Sequence, residues 1–298
     1  MFNMPSPEQA TLLNVDGTEV LVEGGGPQAP VLLMIHGWPD TRTLWDAQVA
    51  HFKGRFRCVR FTLPGFDPQA TTSPLGLDDM VARIAAIADA VSPAAPVHLL
   101  LHDWGCFFGY QFAMHHPARV GRVIGVDVGD TTSPAFRRSQ SLKGKLLIAS
   151  YQLWLAFAYA LPRALGNRMT RALAHLMHAP HAQVATARMN HPYAALWSGR
   201  YRRALPLQLD GPVLYVYGRR KPVMFHSPAW LDRLAATPGC AAHGLPTGHW
   251  VMVEQPAMFH RLVDAWLAGD AVSVHRAGEG QQAAQAHHAS APAGRSSG

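Results

Sequence analysis

Leu99-Leu100-Leu101-His102-Asp103-Trp104-Gly105-Cys106 reads as a buried strand that turns abruptly into a helix, with an acidic residue at the turn. Such an elbow lifts one side chain above the edge of a sheet and aims the following backbone N–H groups at the same cavity. The lifted group here is a carboxylate. It is ionised at neutral pH and suits attack on a saturated carbon, yielding an ester that water later cleaves. Asp103 equally fits a plain helix cap, where acids are favoured, so the reading depends on what surrounds it.

Outward from the elbow the chain alternates strand and helix. Val31 to Ile35 and Val97 to Leu101 are continuous apolar runs, as strands buried on both faces should be. Thr18 to Glu23, Arg57 to Leu63 and Arg122 to Asp127 add strands, and Met80, Ile84, Ile87 and Val91 recur at helical spacing behind Asp78 and Asp79. Strand-helix repetition of this kind predicts a mostly parallel sheet with helices on both faces. From Thr131 to about Pro206 the pattern is helical with no β run; after Gly211-Pro212 the alternation resumes with Val213 to Tyr217 and Cys240 to Gly244. The expected organisation is therefore a sheet core over 1–130 and 207–269, a helical insertion over 131–206, and a disordered tail over 270–298, where large apolar residues nearly vanish.

Composition narrows the function. The chain has 298 residues, 26 Lys and Arg against 19 Asp and Glu, and three cysteines with neither disulfide nor zinc spacing, which favours a reduced, cytoplasmic compartment. Read along the chain, the positive charge is scattered. Its short clusters lack the interleaved aromatics of a nucleic-acid site, so no nucleic-acid partner is expected. The N-terminus does not read as a secretory signal. The longest apolar run, Leu146 to Leu161, is sixteen positions and too short for the ~20 residues of a span. Basic residues precede it, but a buried or surface-covering helix is the favoured reading, and membrane contact is not expected.

Two further motifs accompany the elbow. His36-Gly37-Trp38-Pro39 follows the first buried strand and is expected on the oxyanion and substrate side of the site, where the Trp38 N–H can join the Trp104 N–H as an oxyanion hole. Thr247-Gly248-His249-Trp250 follows the last short strand, where a base can reach the elbow.

With these three elements together, the sequence resembles the α/β-hydrolase fold family over roughly Val20 to Ala268, and within it the epoxide hydrolase and haloalkane dehalogenase branch with an aspartate nucleophile. The resemblance implies that Asp103 attacks carbon, that His249 activates the hydrolytic water, and that the helical insertion is a cap. It implies no metal or organic cofactor, and a small, mostly apolar substrate. Epoxide hydrolases use two cap tyrosines to protonate the ring oxygen. Tyr151 in Ser150-Tyr151-Gln152 and Tyr201 in Tyr201-Arg202 look like those positions, with Tyr193 in His191-Pro192-Tyr193 as the substitute. An aromatic stripe on a cap helix is also ordinary packing. A dehalogenase needs N–H donors around a halide, and the family's Asn is replaced by Trp38 in H-G-W-P, so halide chemistry is the second reading and a decayed, ligand-binding hydrolase fold the third.

Two features depart from the epoxide hydrolase pattern. Leu101, two residues before the elbow acid, stands where a small residue is usual. The expected triad acid after the strand ending at Gly218 is replaced by Lys221. The family's alternative place is the end of the strand after the elbow helix, and there the sequence has Asp127, with Asp130 three residues on. Asp127 is the preferred acid; either residue also fits a turn cap. Of the remaining candidates, His175, His178 and His181 are expected on the cap surface, His102 packed behind the elbow, and Cys106 as a small packed residue. Nothing in the sequence fixes the oligomeric state.

Overall fold

The computed structural model describes residues 10–68 and 74–269; the predicted tail lies outside the described residues. Eight strands form one sheet: β1 (Thr11–Val15), β2 (Thr18–Glu23), β3 (Val31–Ile35), β4 (Arg57–Phe61), β5 (Val97–His102), β6 (Val120–Val126), β7 (Val213–Gly218) and β8 (Ala241–Leu245). Their spatial order is β1-β2-β4-β3-β5-β6-β7-β8; β1 with β2 and β2 with β4 are antiparallel, and all other pairs are parallel. The helices in chain order are α1 (Asp46–Phe52), α2 (Leu77–Val91), α3 (Trp104–His115), α4 (Pro134–Ser139), α5 (Leu142–Ala160), α6 (Arg163–Leu176), α7 (His191–Trp197), α8 (Pro228–Ala236), α9 (Val251–Glu254) and α10 (Pro256–Ala268).

The apolar runs occupy the middle of the sheet. Every residue of β3 is buried, as are five of the six in β5. Parallel strands covered on both faces lose the inside-outside alternation for this reason. At the edge, β1 alternates and is largely exposed, and it joins β2 through Asp16 and Gly17, both at positive φ (46° and 82°). That is the backbone of a two-residue hairpin turn, for which Asp-Gly is a preferred sequence. The strands read from the sequence begin at Thr18, so β1 is an addition to them.

Helices α4 to α7 all fall between β6 and β7. Serine side chains start two of them: Ser133 Oγ accepts from the Phe136 N–H, and Ser141 Oγ from the Gly144 N–H. The predicted apolar helix is α5, but several of its large side chains face outward rather than into a core.

Leu101 packs into the space left by a glycine on the facing helix. A Cβ placed on Gly109 of α3 would lie 2.5 Å from Leu101 Cδ2, so the bulk two residues before the elbow fits because the facing helix position has no side chain.

Candidate active site

Asp103 sits between β5 and α3 with φ 52° and ψ −121°. A non-glycine residue pays a conformational cost in this region and is held there only when the flanking strand and helix over-determine it. The consequence is a carboxylate at the carboxyl edge of the sheet. Gly37 makes the approach of the β3 loop possible, because a Cβ there would lie 2.3 Å from Asp103 Oδ1. The Trp38 N–H donates to Asp103 Oδ1 at 2.6 Å.

On the other side, His249 Nε2 lies 3.4 Å from Asp103 Oδ2, and its Nδ1–H donates to Asp127 Oδ2. Asp127 follows β6 in a left-handed conformation, φ 65°, which short polar residues tolerate. Its Oδ1 accepts from the Gly218 N–H at 2.8 Å and from Lys221 Nζ at 2.5 Å. Asp130 is used elsewhere: Oδ1 accepts from the Ser227 N–H, and Oδ2 from the hydroxyls of Ser133 and Ser227, tying α4 to α8. Of the two candidate acids only Asp127 reaches the imidazole.

The charges are mutually supporting. Burial alone would raise the Asp103 pKa, but the hydrogen bond and charge of His249 hold it below the ordinary carboxylate value. Burial likewise opposes ionisation of Asp127, and the charges of Lys221 and His249 bring it below normal. Burial would lower His249, yet the Asp127 charge and the bonds to both carboxylates raise it to about 9.

A cavity of about 600 Å³ opens from Asp103 past Trp38, His249, Tyr151 and Tyr193 to Leu173, Met177, His178, Arg220 and Val223. A smaller one of about 180 Å³ leaves the same carboxylate past Trp104, Phe107, Thr132, Phe136 and Gln152. Tyr151 and Tyr193 line both. Their rings meet edge to face at 6.1 Å, and Tyr193 also stands edge-on to Trp104 at 5.2 Å. Burial, followed by the Asp103 charge, raises both phenols, Tyr193 well above its ordinary value. Both keep their protons at neutral pH.

Three placements differ from the expectations. Tyr201 lines neither cavity; it is buried against Trp104, Phe107 and Phe108, and its hydroxyl has no hydrogen-bond partner. Tyr193 takes the place beside Tyr151 instead. His36 is fully buried and faces away from substrate space: Nε2 accepts from the Leu63 N–H at 2.9 Å, so Nδ1 carries the proton and donates to Gly37 O at 2.9 Å. Burial lowers its pKa to about 4, and its role is to clamp the loop that presents Trp38. Of the three histidines expected on the surface, His175 and His178 are exposed, His178 at the rim of the larger cavity, while His181 is half-buried and bonded to Asp40. His102 is fully buried with its ring 4.5 Å from His249, and burial pushes the Cys106 thiol up to about 12.

Several residues had no role in the sequence reading. Asn190 Oδ1 accepts the indole N–H of Trp38 at 2.8 Å, and its amide donates to Thr170 Oγ1, tying the loop after β3 to α6. Asp40 accepts from the Trp250 indole at 2.8 Å and pairs with His181 at 2.9 Å. Its position two residues after Trp38 was the available signal. Among the described residues no group of three or more His, Cys, Asp or Glu is placed to hold a metal ion.

The arrangement matches a known family. Residues 30–256 match the alpha/beta hydrolase fold family model, and the chain belongs to that family. A curated relative, the probable oxidoreductase EphD of Mycobacterium tuberculosis, is 35% identical over 127 residues, 40% of this chain and 21% of that protein. Epoxide hydrolase 2 of Caenorhabditis elegans is 32% identical over 108 residues, covering 35% of this chain and 30% of that one. The chain thus spans less than a third of the length of these curated relatives. Among solved structures, an epoxide hydrolase from Bacillus megaterium in complex with an inhibitor superposes with a TM-score of 0.64 at 21% identity, covering 87% of this chain and 100% of that one. At that identity the likeness establishes the fold.

Proposed function

We propose that the protein is an epoxide hydrolase that forms an alkyl ester on Asp103. The observation that carries the reading is the placement of this carboxylate between His249 on one side and the two phenols of Tyr151 and Tyr193 on the other, at the junction of two largely apolar cavities. The names of the relatives agree with it: epoxide hydrolases of Caenorhabditis elegans and Bacillus megaterium are among them.

In the first step Asp103 Oδ2 attacks an epoxide carbon while Oδ1 stays bound to the Trp38 N–H. The carbon–oxygen bond of the ring breaks, and its oxygen takes a proton from a phenol of the tyrosine pair. Alkylation removes the charge of Asp103, one of the influences that raises His249. The imidazolium, its pKa lowered, gives up its proton to the phenolate through solvent, and the neutral ring then takes a proton from water, which attacks the ester carbonyl carbon. The Trp38 N–H holds the resulting oxyanion, aided by the N–H of Trp104 at the start of α3. The acyl–oxygen bond breaks, the alkoxide takes the proton from His249 and leaves as the diol, and Asp103, left as the acid, returns its proton to His249 to restore the resting state.

Halide chemistry is the second reading. It is less well supported because the Trp38 indole N–H is taken by Asn190, leaving one fewer donor for a leaving halide. Incubation with a panel of apolar epoxides and one of haloalkanes tests the choice: diol formation that Asp103→Asn abolishes, with no halide release, supports the proposal, and halide release with inert epoxides overturns it.

A further inference from the structure

Helix α5 is built inside out. Leu142, Leu146, Leu153 and Phe157 are 75%, 62%, 47% and 60% exposed. At about 100° per residue they fall within one narrow stripe along the helix. Lys143 and Lys145, both exposed, flank the stripe on either side near its start. The opposite edge of the same helix, with Ile148 and Tyr151, lines the cavities around Asp103.

The charge is segregated in the same way. Positions 131–209 hold 11 of the 26 Lys and Arg and none of the 19 Asp and Glu, so this segment carries +11 while the rest of the chain, with 15 basic and 19 acidic residues, carries −4. A large exposed apolar stripe marks an interaction site rather than ordinary surface. A second copy docked through it would bring two +11 segments face to face, whereas an anionic bilayer satisfies both the stripe and the charge.

We infer that the outward face of α5 docks the protein on the surface of an anionic lipid bilayer, inserting the Leu142 to Phe157 stripe among the headgroups. No helix among the described residues is long and apolar enough to cross a membrane, so the contact is one of lying on the surface. Docking there sets the membrane one helix diameter, about 10 Å, from the cavities at Asp103. The inference is independent of the reaction assigned to Asp103.

The test is co-sedimentation of the full chain with vesicles of phosphatidylcholine alone or containing about 30% phosphatidylglycerol. The expected result is binding to the anionic vesicles that weakens by about tenfold or more in ~1 M salt, where the screening length falls to about 3 Å. Leu146→Glu with Phe157→Glu, and separately Lys143→Glu with Lys145→Glu, should each lose binding about tenfold or more while keeping the wild-type thermal midpoint. Absence of binding to anionic vesicles overturns the inference, as does equal binding by the variants. So does a wild-type dimer in analytical ultracentrifugation that Leu146→Glu converts to monomer, which would assign the stripe to a second copy.

Discussion

Lys221 Nζ lies 2.5 Å from Asp127 Oδ1, so the residue that stands where the resemblance places a triad acid is instead the cationic partner of Asp127 at the end of β6. The ammonium is nearly buried, and burial lowers its pKa while Asp127 offsets the effect. The pair leaves Oδ2 alone to face His249.

Replacing Lys221 with Met removes a positive charge beside Asp127, which then holds a proton on His249 more strongly. In the variant, ester hydrolysis should slow at neutral pH, with its acidic limb displaced to higher pH and the alkylation rate changed much less. Pre-steady-state kinetics across pH measures both. An unchanged limb in a folded variant would show that Lys221 has no influence on the base.

The phenols of Tyr151 and Tyr193 and that of Tyr201 are separable by removing single hydroxyls. Tyr151→Phe and Tyr193→Phe should each lower kcat by about 10²-fold or more if they assist ring opening. Tyr201→Phe should leave kcat nearly unchanged and stability equal or slightly improved, because its buried hydroxyl has no partner to lose. A large kcat loss in Tyr201→Phe alone would return that residue to the site.

Leu101 and Gly109 form a packing pair whose energies should not add. Gly109→Ala forces a methyl against Leu101 and should cost about 1–3 kcal/mol, readable by chemical denaturation. Combining it with Leu101→Ala should recover part of that loss, a coupling of about 0.5–3 kcal/mol. Simple additivity would mean that the two side chains do not compete for one space.

His181 joins the helical insertion to Asp40, and its pKa is raised, chiefly by the bond to that carboxylate and further by the charges of Asp40 and Asp46. A folded value above the unfolded one means that its stabilisation is complete below about pH 6.5 and is lost as pH rises through the raised value. His181→Gln should therefore lower Tm at pH 5 more than at pH 9. Because 32% of the His181 side chain meets solvent, the difference should be about 1 kcal/mol or less. An equal Tm deficit at both pH values would reduce His181 to a neutral contact.

The parts of the fold carried by unbroken apolar runs, β3 and β5 above all, were legible from residue order, as were the elbow at Asp103 and the late His249. These features are local: a strand, a turn and a helix start are each written within a few residues. What escaped was decided by neighbours distant in sequence. Tyr193 rather than Tyr201 meets Tyr151 because the arrangement of α5 and α7 sets which ring faces Asp103, and spacing along the chain does not encode that. Lys221 read as a missing acid until Asp127 was placed against it. The Asp16-Gly17 turn was a local signal passed over, and with it β1. Positive charge that is scattered in residue order collects on one part of the molecule because a single insertion between β6 and β7 holds so much of it.

The covalent ester on Asp103 is tested most directly by mass spectrometry of His249→Gln after incubation with an apolar epoxide. The expected result is a stable mass increase equal to one epoxide, mapped to the peptide that contains Asp103 and absent in the Asp103→Asn double variant. A folded His249→Gln protein that consumes epoxide without gaining mass, or gains it at another residue, would contradict the assignment.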